Sequence, residues 1–140
     1  MVKIAVCISL LFTLAYSSIT NNRPIIGILS LYTAHHTDFP ISSNYTSYIA
    51  SSYIDWVEMG GAQVVPIKLT DTRQEITDIV GQVNGVLFTG GAGDMWKDKS
   101  TDLFANYSDI GCMIFDQVIQ ANDNGRYLPL WGTCLGHELL

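Results

Sequence analysis

The chain has 140 residues, enough for one domain with a genuine core and too few for two. Seven basic residues face 13 acidic ones, for a formal charge of −6, which excludes the clustered Lys and Arg that a nucleic-acid partner requires.

Taken in chain order, Lys3 precedes an uncharged, largely apolar run from Ile4 to Leu14, and Ala15-Tyr16-Ser17 supplies small residues at a cleavage site after Ser17 or Ser18. These are the marks of a secretory signal peptide over residues 1–18, followed by a domain over 22–140. The apolar run is too short to cross a bilayer, so no stable membrane anchor is expected. Cleavage would remove Lys3 and Cys7, leaving six basic residues against 13 acidic ones and a charge of −7. Of the three cysteines, Cys112 and Cys134 would remain, in a compartment that tolerates disulfides. Both are expected to be free, because a bridge would consume the nucleophile argued for below. Two sequons, Asn44-Tyr45-Thr46 and Asn106-Tyr107-Ser108, agree with a secretory route ending outside the cell or in a lysosome or vacuole.

After the signal, apolar segments alternate in the order β-α-β-α-β-α-β, which specifies an α/β fold with a parallel sheet between helices. Ile25-Ile26-Gly27-Ile28-Leu29 is a continuous apolar run, as in a strand buried on both faces. Tyr45, Tyr48, Ile49, Ser52, Tyr53, Trp56 and Val57 recur at helical spacing and predict a helix closed by Gly60-Gly61. Val64-Val65-Pro66-Ile67 reads as a short second strand, and Pro66 places it near an edge or ends it. Thr72-Arg73-Gln74-Glu75 has the form of a capping box ahead of Ile76, Ile79, Val80 and Val83. Gly85-Val86-Leu87-Phe88 is the third strand, running into Thr89-Gly90-Gly91. A helix marked by Leu103, Tyr107, Ile110, Ile114 and Val118 follows, then a fourth strand from Tyr127 to Trp131. In such sheets ligands bind beyond the carboxyl ends of the strands, where both glycine-bearing turns fall.

The last strand delivers Gly132-Thr133-Cys134-Leu135-Gly136. A residue held at a sharp strand-to-helix turn crowds its neighbours, so small residues two positions to either side let the backbone close. Cys134 would sit at the apex as a nucleophile, with the following helix aiming N–H groups at its sulfur. The plainer reading is a buried, inert cysteine on an ordinary connection. An attacking thiolate generates an oxyanion, which two backbone N–H groups would stabilise. Leu135 would supply one and Gly91 the other, with Gly90 as the alternative and a substrate-contacting position.

A thiolate also needs a general base. His137 stands three residues past Cys134 and reads as a packing or solvent-edge histidine. His35 and His36 lie in the loop after the first strand, with nothing to place either beside Cys134 or to make a zinc site of them. Glu138 falls one helical turn after Cys134, where it either binds an ammonium or amide group of a substrate or is an ordinary acid of a first helical turn. No metal or organic cofactor is expected.

The elbow Gly132-Thr133-Cys134-Leu135-Gly136-His137-Glu138 resembles that of class I glutamine amidotransferase-like proteins, and Phe88-Thr89-Gly90-Gly91 resembles their oxyanion loop, usually written with Pro where Thr89 stands. The narrower similarity is to the γ-glutamyl hydrolases. Arg23-Pro24-Ile25-Ile26-Gly27-Ile28, Tyr48-Ile49-Ala50-Ser51-Ser52-Tyr53, Asn84-Gly85-Val86-Leu87-Phe88 and Pro129-Leu130-Trp131-Gly132-Thr133-Cys134-Leu135-Gly136 carry it. Amidotransferases commonly have Gln at the position of Glu138 and are usually cytosolic, so Glu138 and the signal peptide favour the hydrolase.

The resemblance implies a three-layer, flavodoxin-like parallel sheet with helices on both faces, of which this chain carries the N-terminal half. It implies that Cys134 attacks the γ-carbonyl of a glutamyl residue in a folate poly-γ-glutamate, a small-molecule substrate, with Glu138 at the bound glutamyl group. It also admits a homodimer in the full-length form. The family's catalytic His and acid lie downstream of Leu140, so a truncated form, inactive and marginally folded alone, is the expectation. Two other functions fit the residues: a glutaminase-type amidotransferase domain, and a non-catalytic secreted glycoprotein that keeps the α/β half-domain for binding.

Overall fold

The computed structural model describes residues 21–33, 45–92 and 102–140, with side chains of the last segment described from residue 107 onward. The signal-peptide region, His35, His36 and Asn44 lie outside the described residues, as does the side chain of Asn106. In chain order the elements are β1 (Ile25–Leu29), β2 (Leu31–Tyr32), β3 (Ser47–Tyr48), α1 (Ser51–Met59), β4 (Gln63–Ile67), α2 (Arg73–Gln82), β5 (Gly85–Phe88), α3 (Asp102–Asp123), β6 (Leu130–Gly132) and α4 (Leu135–Glu138).

Strands β4, β1, β5 and β6 lie in that order in one parallel sheet. The β1/β5 junction is where the chain switches sides, the order expected of a flavodoxin-like sheet. Helices cover both faces, which explains why β1 and β5 read as unbroken apolar runs rather than alternating ones. On one face Leu29, Ile67, Val86 and Phe88 pack with Ile76 and Val80 of α2 and with Ile110, Ile114 and Val118 of α3. On the other, Ile28 and Leu87 meet Val57 of α1. Ile28, Leu29, Leu87 and Phe88 are at most 2% exposed, so each contributes about 1.5–3 kcal/mol of burial and together they fix the strand register. β4 is an edge strand, and there Pro66 leaves no inner ladder bond unmade.

Local chemistry sets the ends of the helices. The Thr72 hydroxyl accepts from the Glu75 N–H, and the Glu75 carboxylate accepts from the Thr72 N–H at 2.8 Å, completing the capping box. Those bonds hold the Glu75 carboxyl below the usual carboxylate range. At the other end of α2 no basic residue occupies the last turn. Arg126, from beyond α3, reaches across to the carbonyls of Val80 and Val83 at 3.1 and 2.5 Å and supplies that cation instead.

Two expectations are corrected. The helical spacing starting at Tyr45 does not make a helix from there: α1 begins at Ser51, and Ser47–Tyr48 pairs antiparallel with Leu31–Tyr32. The backbone groups of Leu31 and Tyr32, which continue past β1, need partners, and the segment before α1 supplies them. Thr33 extends the pairing through its N–H to the Thr46 carbonyl and its hydroxyl to the Tyr45 carbonyl. The last strand is Leu130–Gly132 rather than Tyr127 to Trp131. Tyr127 is 84% exposed, and Leu128 gives its N–H and carbonyl to the Asn122 side chain instead of to the sheet.

Candidate active site

The carboxyl ends of β5 and β6 are stitched together by the Thr133 N–H, which donates to the Phe88 carbonyl at 3.1 Å. From there the chain turns at Cys134, whose φ of 52° and ψ of −118° make it the one non-glycine with positive φ among the described residues. Holding an L-residue there costs about 1–3 kcal/mol, a strain that persists because the surroundings over-determine it. The surroundings are the two glycines. A Cβ on Gly132 would overlap the Gly136 carbonyl, and one on Gly136 would overlap the Phe88 carbonyl. The turn is therefore folded directly onto the strand ends, as the glycine spacing requires.

Both Cys112 and Cys134 are exposed and free. The helix after Cys134 is a single turn, Leu135–Glu138, so any help to a thiolate is local rather than a long helix dipole. Of its first N–H groups, that of Gly136 is bound to the Thr133 carbonyl at 2.9 Å. The Leu135 N–H has no acceptor among the described residues and stays open next to Cys134.

Across from the elbow lies the turn after β5. Thr89 is 1% exposed, and its hydroxyl donates to the Leu29 carbonyl at 3.3 Å, which lets a hydroxyl stand in a buried position where Pro would need no partner. Gly90 packs on the elbow itself: a Cβ there would lie 2.8 Å from the Cys134 Cβ and 2.7 Å from the Tyr53 Oη. The Gly90 N–H already donates to Tyr53 Oη at 2.8 Å. The Gly91 N–H has no acceptor among the described residues.

His137 and Glu138 are exposed on α4. The Glu138 N–H donates to the Cys134 carbonyl at 3.0 Å, which sets Glu138 one turn beyond Cys134. No side-chain hydrogen bond joins His137 or Glu138 to another group among the described residues, and none engages the Cys134 sulfur.

Sequence reasoning missed the phenols. By its spacing Tyr53 belongs to a helix face, yet its hydroxyl reaches the Gly90 turn. The Tyr48 hydroxyl would lie 3.2 Å from a Cβ on Gly91. Burial first, and then the neighbouring Tyr53 phenol, push the pKa of both Tyr48 and Tyr107 upward, that of Tyr107 beyond the usual phenol range, so both stay protonated more firmly than a free phenol. Tyr107 is 4% exposed, and its hydroxyl has no partner among the described residues. A signal for Tyr53 does exist in the sequence. The first turn of a helix that follows a parallel strand sits at the carboxyl edge of the sheet, and Tyr53 is the third residue of α1.

A concavity of about 390 Å³ opens elsewhere, on the α1 face of the sheet. Ile26, Trp56, Val57, Leu87, Pro129 and Trp131 are among its lining residues, and it does not include Cys134. Its lining holds no acid, base or nucleophile.

Comparison with known proteins bears on this arrangement. The chain is 40% identical over 121 residues to "Gamma-glutamyl hydrolase B" of Dictyostelium discoideum, covering 84% of this chain and 31% of that protein. It is 36% identical over 122 residues to "Gamma-glutamyl hydrolase" of Homo sapiens, covering 86% and 35%, and 36% identical over 120 residues to "Gamma-glutamyl hydrolase 1" of Arabidopsis thaliana, covering 86% and 32%. The chain thus spans about a third of the length of the curated relatives it matches. The Peptidase C26 family model matches residues 24–140, a span that takes in β1, the Gly90-Gly91 turn and the whole elbow. With that match over most of its length, the chain belongs to the Peptidase C26 family.

Proposed function

We propose that Cys134 is the nucleophile of a hydrolase that cleaves γ-glutamyl amide bonds through an acyl-enzyme. The observation that carries this reading is the strained Cys134, exposed at the tip of β6 with the open N–H of Leu135 beside it and the Gly90-Gly91 turn packed against its Cβ. Such a site suits acyl transfer. The sulfur forms a bond to the γ-carbonyl carbon, and the π pair moves to oxygen, where the N–H groups of Leu135 and Gly91 receive it. Collapse expels the amine, which leaves with the thiol's proton. Water then attacks the thioester, releasing the glutamyl product and restoring the thiol. Glu138, one turn past Cys134, would receive the ammonium of the bound glutamyl group. The names of the relatives supply the γ-glutamyl specificity; poly-γ-glutamates, including those of folates, are the substrate class that the sequence resemblance adds.

The same reading places the protein in the secretory pathway, outside the cell or in a lysosome or vacuole, with Asn44 and Asn106 as its glycan acceptors. Asn106 falls within α3. No described helix is long and apolar enough to cross a membrane.

The reading is tested against the amidotransferase alternative by comparing acylation by a γ-glutamyl dipeptide, an α-glutamyl dipeptide and free glutamine, using here and in the acylation measurements below a full-length form that includes the family's downstream His and acid. Acylation by the γ-linked peptide is expected to exceed that by the other two by at least about tenfold, a discrimination of about 1.4 kcal/mol. A preference for glutamine would assign the site to ammonia release instead.

A further inference from the structure

From the Tyr53 position we infer that its phenol is a side-chain donor to the oxyanion, acting beside the backbone N–H groups of Leu135 and Gly91. This inference rests on the acyl-transfer reading of Cys134 and adds a residue to it. The geometry begins at Gly90. Its N–H was a candidate oxyanion donor, but it is spent on Tyr53 Oη at 2.8 Å. A phenol oxygen that accepts one hydrogen bond still has its own proton to give. No described residue accepts that proton. The oxygen also stands at the reacting edge, since Tyr53 Oη and the Cys134 Cβ flank the same point above Gly90, 2.7 and 2.8 Å from it. The Gly90 N–H thus becomes the anchor of the donor rather than the donor. By accepting from it, the phenol oxygen is fixed in place and polarised toward giving its hydrogen away.

One further feature fits a donor held in place. The Tyr53 ring is half-buried at the start of α1, which limits its swing. In the acylation step the Cys134 sulfur bonds to the carbonyl carbon, the displaced π pair rests on oxygen, and Tyr53 stabilises that charge by a hydrogen bond without losing its proton. The bond shortens as charge develops and so serves the transition state more than the bound substrate.

The test compares wild type with Tyr53→Phe, which removes the hydroxyl and keeps the ring. The acylation rate by a γ-glutamyl anilide is expected to fall by about 100-fold, the usual consequence of losing one oxyanion donor. Alkylation of Cys134 by iodoacetamide, which forms no oxyanion, is expected to change by less than about twofold. A second measurement does not depend on how much of the variant folds. Replacing the scissile carbonyl oxygen by sulfur weakens the acceptor, and the oxo-to-thiono rate ratio taken within each protein should be smaller in Tyr53→Phe than in wild type. Equal acylation rates, or an unchanged oxo-to-thiono ratio, would overturn this inference alone. A wild type whose Cys134 is alkylated but never acylated by a γ-glutamyl compound would refute the acyl-transfer reading and this inference with it.

Discussion

Replacing Cys134 by glycine is expected to make the protein more stable while removing its covalent chemistry. At φ 52° and ψ −118° the Cys134 Cβ crowds its own backbone, whereas glycine occupies that region freely. Relief of about 1–3 kcal/mol of strain, less the roughly 0.5–1 kcal/mol that glycine adds to the unfolded chain's entropy, leaves a gain near 1 kcal/mol. Cys134→Ala keeps the Cβ and hence the strain, so it should match wild type within about 0.5 kcal/mol. Acylation should drop by at least about 10³-fold in both variants, the scale seen when a nucleophile is deleted. Denaturant unfolding of the three proteins checks the stability ordering. If Cys134→Gly unfolded no later than Cys134→Ala, the elbow would store no strain and its geometry would not be a device for presenting the thiol.

Gly136→Ala should have the opposite effect on stability. The new Cβ would overlap the Phe88 carbonyl and also press on the Phe88 Cβ at 2.8 Å, and neither the backbone of a buried central strand nor the side chain on it can yield cheaply. A loss of more than about 3 kcal/mol is expected, in the range reserved for overpacked cores and broken backbone geometry. Gly81→Ala provides the control. A Cβ at Gly81 in α2 meets nothing within 4 Å, so that variant should gain about 0.5–1 kcal/mol from helix propensity. The contrast separates a glycine needed for close approach from one that is merely tolerated. If Gly136→Ala folded as stably as wild type, the elbow would not be braced against β5.

These two variants also show what a linear sequence conveys. The elbow was legible because its constraint is local: Gly132 and Gly136, two residues to either side of Cys134, record how tightly the turn must close. Strands β1 and β5 were legible because both of their faces are covered, which leaves an unbroken apolar run. The capping box was legible because Thr72 and Glu75 satisfy each other without outside help. What failed depended on distant partners. Tyr45 and Tyr48 fit a helical period, but the claim of Leu31 and Tyr32 on the backbone before Ser51 overrides it. Leu128 looked like part of a strand until Asn122 took both of its backbone groups. Tyr53 sits where a core residue would on the helix period, and only the position of Gly90 in space reveals its hydroxyl as part of the site.

The central claim is that the fold around Cys134, rather than its exposure, makes it a nucleophile toward a γ-glutamyl carbonyl. Cys112 is the internal comparison, for it too is exposed and free but sits within α3 rather than at a turn. The direct measurement is peptide mapping by mass spectrometry after the native protein is incubated with an activated γ-glutamyl ester and quenched in acid. The expected result is a single glutamyl group on the peptide that contains Cys134, none on the peptide that contains Cys112, and loss of the modification when the protein is unfolded before the reagent is added. Equal modification of both cysteines, or modification of Cys134 that survives unfolding, would contradict the account, because the reactivity would then belong to any accessible thiol.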